Sequence, residues 1–176
     1  MGEGTALMVE RIEMSDWWNA TGHIERYCYA ASRLLRNETV NDIACGIGYG
    51  ALFLLYQAST YQGYDRPGIA IPTFPGQFHS ADIDNPQWSP NVADVTICFE
   101  TLEHVEDPAQ FAKVIAETSR RAIIVSVPII PTKHINPYHK HDFVASDIPP
   151  LFPDFRIIDE WEQPSESSHV WTFERV

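Results

Sequence analysis

The stretch Thr39-Val40-Asn41-Asp42-Ile43-Ala44-Cys45-Gly46-Ile47-Gly48-Tyr49-Gly50-Ala51 decides how this chain is read. Residues 39–44 have the composition of a short apolar strand, and they run straight into alternating glycines. Residues 51–58 then resume a helical composition. Strand, glycine turn and helix in that order open a βαβ unit. In open α/β sheets the carboxyl end of the first strand is where a ligand binds, and glycines there let backbone approach it with no Cβ in the way. Gly46 and Gly48, with Ala44 before them, are therefore the first candidates for a binding site. Taken alone, the same turn also reads as a tight strand-to-helix connection.

Working outward, residues 24–35 place Ile24, Tyr27, Cys28, Ala31, Leu34 and Leu35 at helical spacing, which predicts an amphipathic helix ahead of the first strand. A second strand is expected at 60–64, closed by Asp65, and a short third at 77–81. The intervening 68–76 holds two prolines, with Pro67 just before it, which argues against a regular crossover helix. Residues 93–99 (ADVTICF) suit a strand buried at the centre of a sheet. Asp107-Pro108 reads as an N-cap with proline at the first helical position. The helix that follows carries Phe111, Val114, Ile115 and Thr118 on one face. A fifth strand spans 121–127, and two more, near 155–161 and 169–174, form an antiparallel pair. Right-handed crossovers make the early strands parallel. The expected fold is α/β, a three-layer sandwich around a mostly parallel seven-stranded sheet with an antiparallel terminal β-pair. Residues 1–176 read as one domain, with 1–20 as an N-terminal extension and the Pro- and His-rich 128–150 as a lid-like loop.

Composition narrows the functional classes. The 176 residues are 44% apolar and 20% charged, as expected of a globular chain. No apolar run approaches the ~18 residues needed to cross a bilayer. The N-terminus lacks a basic region followed by an apolar stretch, and Ala6 stands where a myristoylation start has Ser or Thr. Cys28, Cys45 and Cys98 show no paired spacing and read as reduced thiols. A cytoplasmic protein is expected. The net charge of −12 repels phosphate backbones, so a nucleic-acid substrate is a minor alternative.

Two acids downstream of the glycine turn sharpen the cofactor. Asp65, ending the second strand, suits hydrogen bonds from both ribose hydroxyls of an adenosine-containing cofactor; a solvated loop aspartate is the plainer reading. Asp82 follows the third strand, where it can accept from an adenine amino group while Ile83 packs on the ring. A nicotinamide site needs no acid at that point, so Asp82 favours S-adenosylmethionine (SAM).

Taken together, HIERYCYAASRLL (23–35), VNDIACGIGYGA (40–51), YQGYD (61–65), ADVTICFETLEHVEDP (93–108), IIVSVP (123–128) and NPYHKHDF (136–143) resemble the class I SAM-dependent methyltransferase superfamily. The similarity is to a small subgroup with His-x-x-Arg-Tyr, D-I-A-C-G-x-G-Y-G and F-E-x-x-E-H motifs. It runs from about 23 to 155. It implies a Rossmann-like fold, with Ala44, Gly46 and Gly48 along the methionine part of SAM. Asp65 would hold the ribose and Asp82 with Ile83 the adenine. Glu100 would border the methionine end, and Tyr27 or Arg26 would close over the cofactor, Arg26 towards its carboxylate. Two departures stand out. The 66–76 segment is short and proline-rich where relatives carry a helix, and Ser119-Arg120-Arg121-Ala122 replaces a common Lys-Pro-Gly-Gly turn.

Methyl transfer needs an acceptor aligned with the S–CH3 bond and, for a hydroxyl or ammonium acceptor, a base. His104, in Glu100-Thr101-Leu102-Glu103-His104, and His139, in the lid-like loop, are the candidates, although either serves equally as a loop anchor. His139, His141 and Asp142 lie close enough in sequence for a metal cluster, but methyl transfer needs none and no metal is expected. Asn136-Pro137-Tyr138 is similar to the Asn-Pro-Pro-Tyr signature of base methyltransferases but lacks the second proline and follows a different strand. Trp17-Trp18 suit either stacking on an acceptor or plugging the core. The expected acceptor is a small molecule or glycan-like compound, methylated at O or N. A non-catalytic SAM-binding partner or regulatory subunit is the alternative, a nicotinamide-binding protein a remote one. A homo-oligomer or partner subunit is compatible with the sequence.

Overall fold

Ile43 and Cys98 are buried neighbours in one sheet register, although 55 positions separate them in the chain. The computed structural model that shows this describes residues 12, 14–66, 74–163 and 165–176. Its seven strands are β1 (Thr39–Ile43), β2 (Thr60–Asp65), β3 (Gln77–Ser80), β4 (Ala93–Phe99), β5 (Ser119–Pro128), β6 (Phe155–Gln163) and β7 (Ser168–Arg175). They lie in the order β3-β2-β1-β4-β5-β7-β6. β1 to β5 pair parallel, and β7 runs antiparallel between β5 and β6. The fold is the expected three-layer α/β sandwich. β1 leads outward to β2 on one side while β4 lies on the other, so the order reverses between β1 and β4. That switch point opens a crevice at the strands' carboxyl ends.

Period-two alternation on the central strands feeds both outer layers. On β5, Ile123, Val125 and Val127 face α3 (Pro108–Thr118), where they meet Phe111, Ala112 and Ile115. Ala122 and Ile124 face the other way, onto the layer of α1 (Thr21–Arg33) and α2 (Ala51–Leu54). Asp107 caps α3 as its sequence predicts: its carboxylate accepts from the amides of Ala109 and Gln110, with Pro108 at the first position.

Three expectations change. α1 buries Gly22, Arg26, Tyr27 and Ala30, and Leu34 just after it, while Cys28 and Leu35 of the expected apolar face are exposed. The helix after the glycine turn is four residues long and passes through turns to Ala58. The 128–150 segment divides in two. Its first part borders the crevice; its second forms single 3-10 turns at Ala145–Asp147 and Pro149–Leu151, burying Ile148 and Phe152 in the core beside α3. Most of the proline-rich stretch after β2, and residues 1–11 of the N-terminal extension, lie outside the described residues. Among the described residues no helix is long and apolar enough to cross a membrane.

Candidate functional site

At the switch point lies a cavity of about 370 Å³, a size that suits a small ligand. Its floor is the turn after β1, from Ala44 to Ile47. Two residues of that turn have left-handed backbone, Ala44 at φ 58° and Gly46 at φ 58°, and Gly48 follows at φ 84°. An added Cβ on Gly46 meets nothing within 4 Å, whereas one on Gly48 meets Cε1 of Phe78 at 2.2 Å. Gly46 is thus the position that keeps cavity space open, and Gly48 the one that lets β3 approach. Gly48 itself is not part of the cavity wall.

Asp65 forms the β2 side. Its Oδ2 accepts from the Gly46 amide at 2.7 Å and its Oδ1 from the Arg66 amide at 2.6 Å. Beyond β3, Ala81 and Ile83 reach the cavity, while Asp82 is exposed outside the wall and accepts from the Asp84 amide at 3.3 Å. Glu100 follows β4 with φ 46°, a left-handed conformation that points to constraint at this position. Its two carboxylate oxygens accept from the hydroxyls of Ser126 (2.6 Å) and Ser168 (2.9 Å), so β5 and β7 fix its orientation.

Aromatic faces close the interior. Tyr27, Tyr49 and Phe99 line the cavity, with Tyr27 edge-on to both others at 5.4 Å. Trp17 stacks on Tyr49 at 5.4 Å, behind the lining, whereas Trp18 is 55% exposed. Beneath them Asp42 is buried in β1 and accepts from the hydroxyls of Tyr27 (2.9 Å) and Tyr61 (2.6 Å). Burial pushes its carboxyl up to about 7, the Asp65 charge adds to the effect, and the two hydroxyls oppose it. His23, also in the wall, is pushed down to about 3, by burial first and then by nearby Arg26.

Arg26 lies elsewhere. Its guanidinium is fully buried and donates to Oε1 of Gln163 at 2.6 Å, joining α1 to β6 rather than reaching the cavity. A hydrogen-bonding partner far along the chain, invisible to helical periodicity, accounts for its inward position.

The far wall is His104, Thr101 and the first part of the 128–150 segment, through Pro137, Tyr138 and Lys140. Nδ1 of His104 pairs with the Tyr138 carbonyl at 3.1 Å. His139 is not in the wall; its ring stands edge-on to that of His104 at 4.6 Å. The cluster suggested by adjacency of His139, His141 and Asp142 is dispersed. Nε2 of His141 pairs with the Val105 carbonyl at 3.0 Å, and Asp142 accepts from the amides of Thr132 and Lys133, which lower its pKa. Lys140, part of the 136–143 motif but given no role there, bridges to Glu106 at 2.9 Å and Asp84 at 3.6 Å, which ties the 128–150 segment to the residues that follow β3 and β4.

The sheet, with its order and its antiparallel terminal pair, matches the Rossmann-like fold of solved methyltransferases. Residues 41–121, somewhat under half the chain, match the family described as "Methyltransferase domain", and this stretch contains the glycine turn, Asp65, Glu100 and His104. No curated protein matches the sequence. Among solved structures, magnesium protoporphyrin IX methyltransferase from Synechocystis PCC 6803 with bound S-adenosylhomocysteine (SAH) is similar at TM-score 0.71 and 17% identity, over 99% of this chain and 90% of that one. The N-methyltransferase NodS of Bradyrhizobium japonicum WM9, also with SAH, gives 0.69 and 12% over 90% and 87%. The complex of the Haloferax volcanii Trm112 methyltransferase activator with a protein described as "the putative methyltransferase" gives 0.72 and 12% over 92% and 95%. Likeness at such identities establishes the fold; the chemistry rests on the site.

Proposed function

We propose that this chain binds SAM in the switch-point cavity and transfers its methyl group to an oxygen or nitrogen of a small-molecule or glycan-like acceptor. The observation that carries the reading is Asp65, a carboxylate at the cavity wall that is hydrogen-bonded to the amide of Gly46. That pairing sets an acceptor of ribose hydroxyls beside a stretch of backbone that a ligand can approach.

The donor set also fits a cationic, amino-acid-like group. Carboxylates of Asp65 and Glu100 and the faces of Tyr27, Tyr49 and Phe99 surround the space, and aromatic faces attract a sulfonium as they do other cations. When bound, SAM supplies a methyl carbon already activated for displacement by its sulfonium. Asp65 orients the ribose end. Ile83 and Ala81 cover the adenine end, with the exposed Asp82 at its edge. Ala44, Gly46 and Glu100 border the methionine end, and Tyr27 closes over it. Tyr138, Pro137 and Lys140 exclude water from the mouth, which strengthens every electrostatic contact inside. His104, with His139 behind it, stands where the acceptor and its proton would be received. The net charge of −12 supports a small acceptor over a nucleic acid.

Calorimetric titration with SAM, SAH and NADH tests the cofactor, and SAH formation with candidate acceptors tests the transfer. Binding of SAM and SAH but not NADH, weakened by Asp65→Ala, is expected. Binding of neither would overturn the reading and leave a partner-subunit role for the fold.

A further inference from the structure

Glu103, His104 and His139 each bring one ligand atom to within 4.8 Å of the other two. His104 lines the far wall of the cavity; Glu103, just before it in the chain, is 1% exposed. The sequence hides the grouping, because His139 lies 35 positions beyond His104 and its near neighbours are the more obvious companions. Backbone contacts create it: the amides of Lys140 and His141 both donate to the Glu103 carbonyl, at 2.7 and 3.2 Å. The segment carrying His139 is thereby fixed against the one carrying the other two.

The imidazoles are oriented as ligands. Nδ1 of His104 meets the Tyr138 carbonyl, an acceptor only, so Nδ1 carries a proton and Nε2 is the atom turned towards Glu103. That Nε2 faces the Glu103 carboxylate at 3.8 Å, longer than a hydrogen bond. A buried carboxylate oxygen and a ring nitrogen so placed have the spacing that a shared cation spans after a small contraction. Nδ1 of His139 is likewise engaged, by the Thr132 hydroxyl at 2.5 Å; with that hydroxyl as acceptor, Nε2 is the ligating atom. Metal-bound histidines are held in this way, the second ring nitrogen hydrogen-bonded to a carbonyl or other oxygen.

We propose that Glu103, His104 and His139 bind one divalent first-row transition-metal cation, of the zinc or cobalt class, whose open positions face the cavity and take an oxygen of the acceptor. Two imidazoles and one carboxylate favour such an ion over magnesium or calcium. Ligand atoms ~2.0–2.2 Å from one ion stand ~3.4 Å apart in a tetrahedron, so the triad contracts by about an ångström on binding.

The role in catalysis rests on the methyltransferase reading above and narrows its acceptor to an oxygen nucleophile. With both histidines on the cation they no longer serve as the base: the cation draws charge from the bound hydroxyl, whose proton passes to solvent. The acceptor oxygen then forms the O–CH3 bond as the S–CH3 bond breaks, and the electron pair of that bond stays on sulfur in SAH.

The test begins with chelator-stripped protein titrated with cobalt(II) and, separately, zinc(II), read by calorimetry and by visible cobalt absorption. SAH affinity is measured in parallel. Uptake of about one ion per chain is expected, at least about tenfold weaker in His139→Ala and in Glu103→Gln, with SAH affinity unchanged. Circular dichroism checks that both variants fold, and X-ray absorption of the cobalt complex reports imidazole ligation independently of any variant. No uptake by the wild type, uptake equal in both variants, or an absorption spectrum without imidazole overturns the cation site. Cation uptake without SAH binding would remove the cofactor reading while leaving this site standing; SAH binding without uptake would do the reverse.

Discussion

Oδ2 of Asp65 accepts a hydrogen bond from the Gly46 amide at 2.7 Å, so the end of β2 fastens the turn that ends β1. The two residues lie on neighbouring parallel strands, and their contact turns two separate motifs into one wall of a cavity. If that wall holds a ribose, Asp65→Ala will weaken SAH binding at least about tenfold, since a charged hydrogen bond contributes ~1.5–3 kcal/mol. Asp65→Asn keeps an acceptor for Gly46 and should lie between that variant and the wild type in the same titration. Equal affinity in all three proteins would place the ribose elsewhere.

The two glycines of the turn should respond differently to alanine. Gly48→Ala drives a Cβ into the Phe78 ring at a left-handed φ of 84°, and a stability loss of about 2 kcal/mol or more is expected in urea denaturation. Gly46→Ala meets no neighbour, so the backbone penalty of ~1–2 kcal/mol is its main cost. Its methyl projects into the binding space instead, and its larger effect should fall on SAH affinity.

Asp42 gives stability a pH dependence of defined sign. Its carboxyl is raised to about 7 in the folded protein, against ~3.9 in an unfolded chain. The folded state therefore binds the extra proton between those values. The contribution to stability is fully present below about 4 and is lost as pH rises through about 7. His23, lowered to about 3, acts in the opposite sense, its contribution being lost as pH falls below ~6.5. Comparison with Asp42→Asn cancels the His23 effect. From pH 5 to 7 the wild type should lose about 2–3 kcal/mol relative to that variant, read from thermal or urea unfolding at each pH. A pH-independent difference would mean that Asp42 is ionised throughout.

Asp107→Ala removes the acceptor for the amides of Ala109 and Gln110 at the start of α3. A loss of about 1 kcal/mol is expected in urea unfolding, without change in SAH affinity, because α3 packs on the face of the sheet away from α1 and borders no part of the cavity. A loss of SAH affinity would instead couple α3 to the site.

How much of this was legible in the sequence depends on how local the signal is. The Asp107-Pro108 cap was readable because its partners lie two and three residues away. The β1 turn was readable because strand, glycines and helix follow one another directly. α1 shows where such reading stops. Apolar spacing placed Cys28 and Leu35 inward, yet the structure turns Arg26 and Ala30 inward, because Gln163 of β6 accepts from the Arg26 guanidinium. No window of neighbouring residues contains that acceptor. The cluster suggested by His139, His141 and Asp142 failed for the same reason, since backbone groups of residues 105, 132 and 133 engage two of its members.

The sequence by itself determined the order of strands and helices, the glycine turn and the acid that follows β2. Each is written in short-range spacing, which the backbone obeys wherever the segment is placed. Only the tertiary structure decided which side chains share a space: Asp65 with Gly46, Glu100 with Ser126 and Ser168, and Glu103 with His104 and His139. Those meetings depend on strand order and on the path of the 128–150 segment. Both are set by burial of the whole sheet and by hydrogen bonds between residues far apart in the chain.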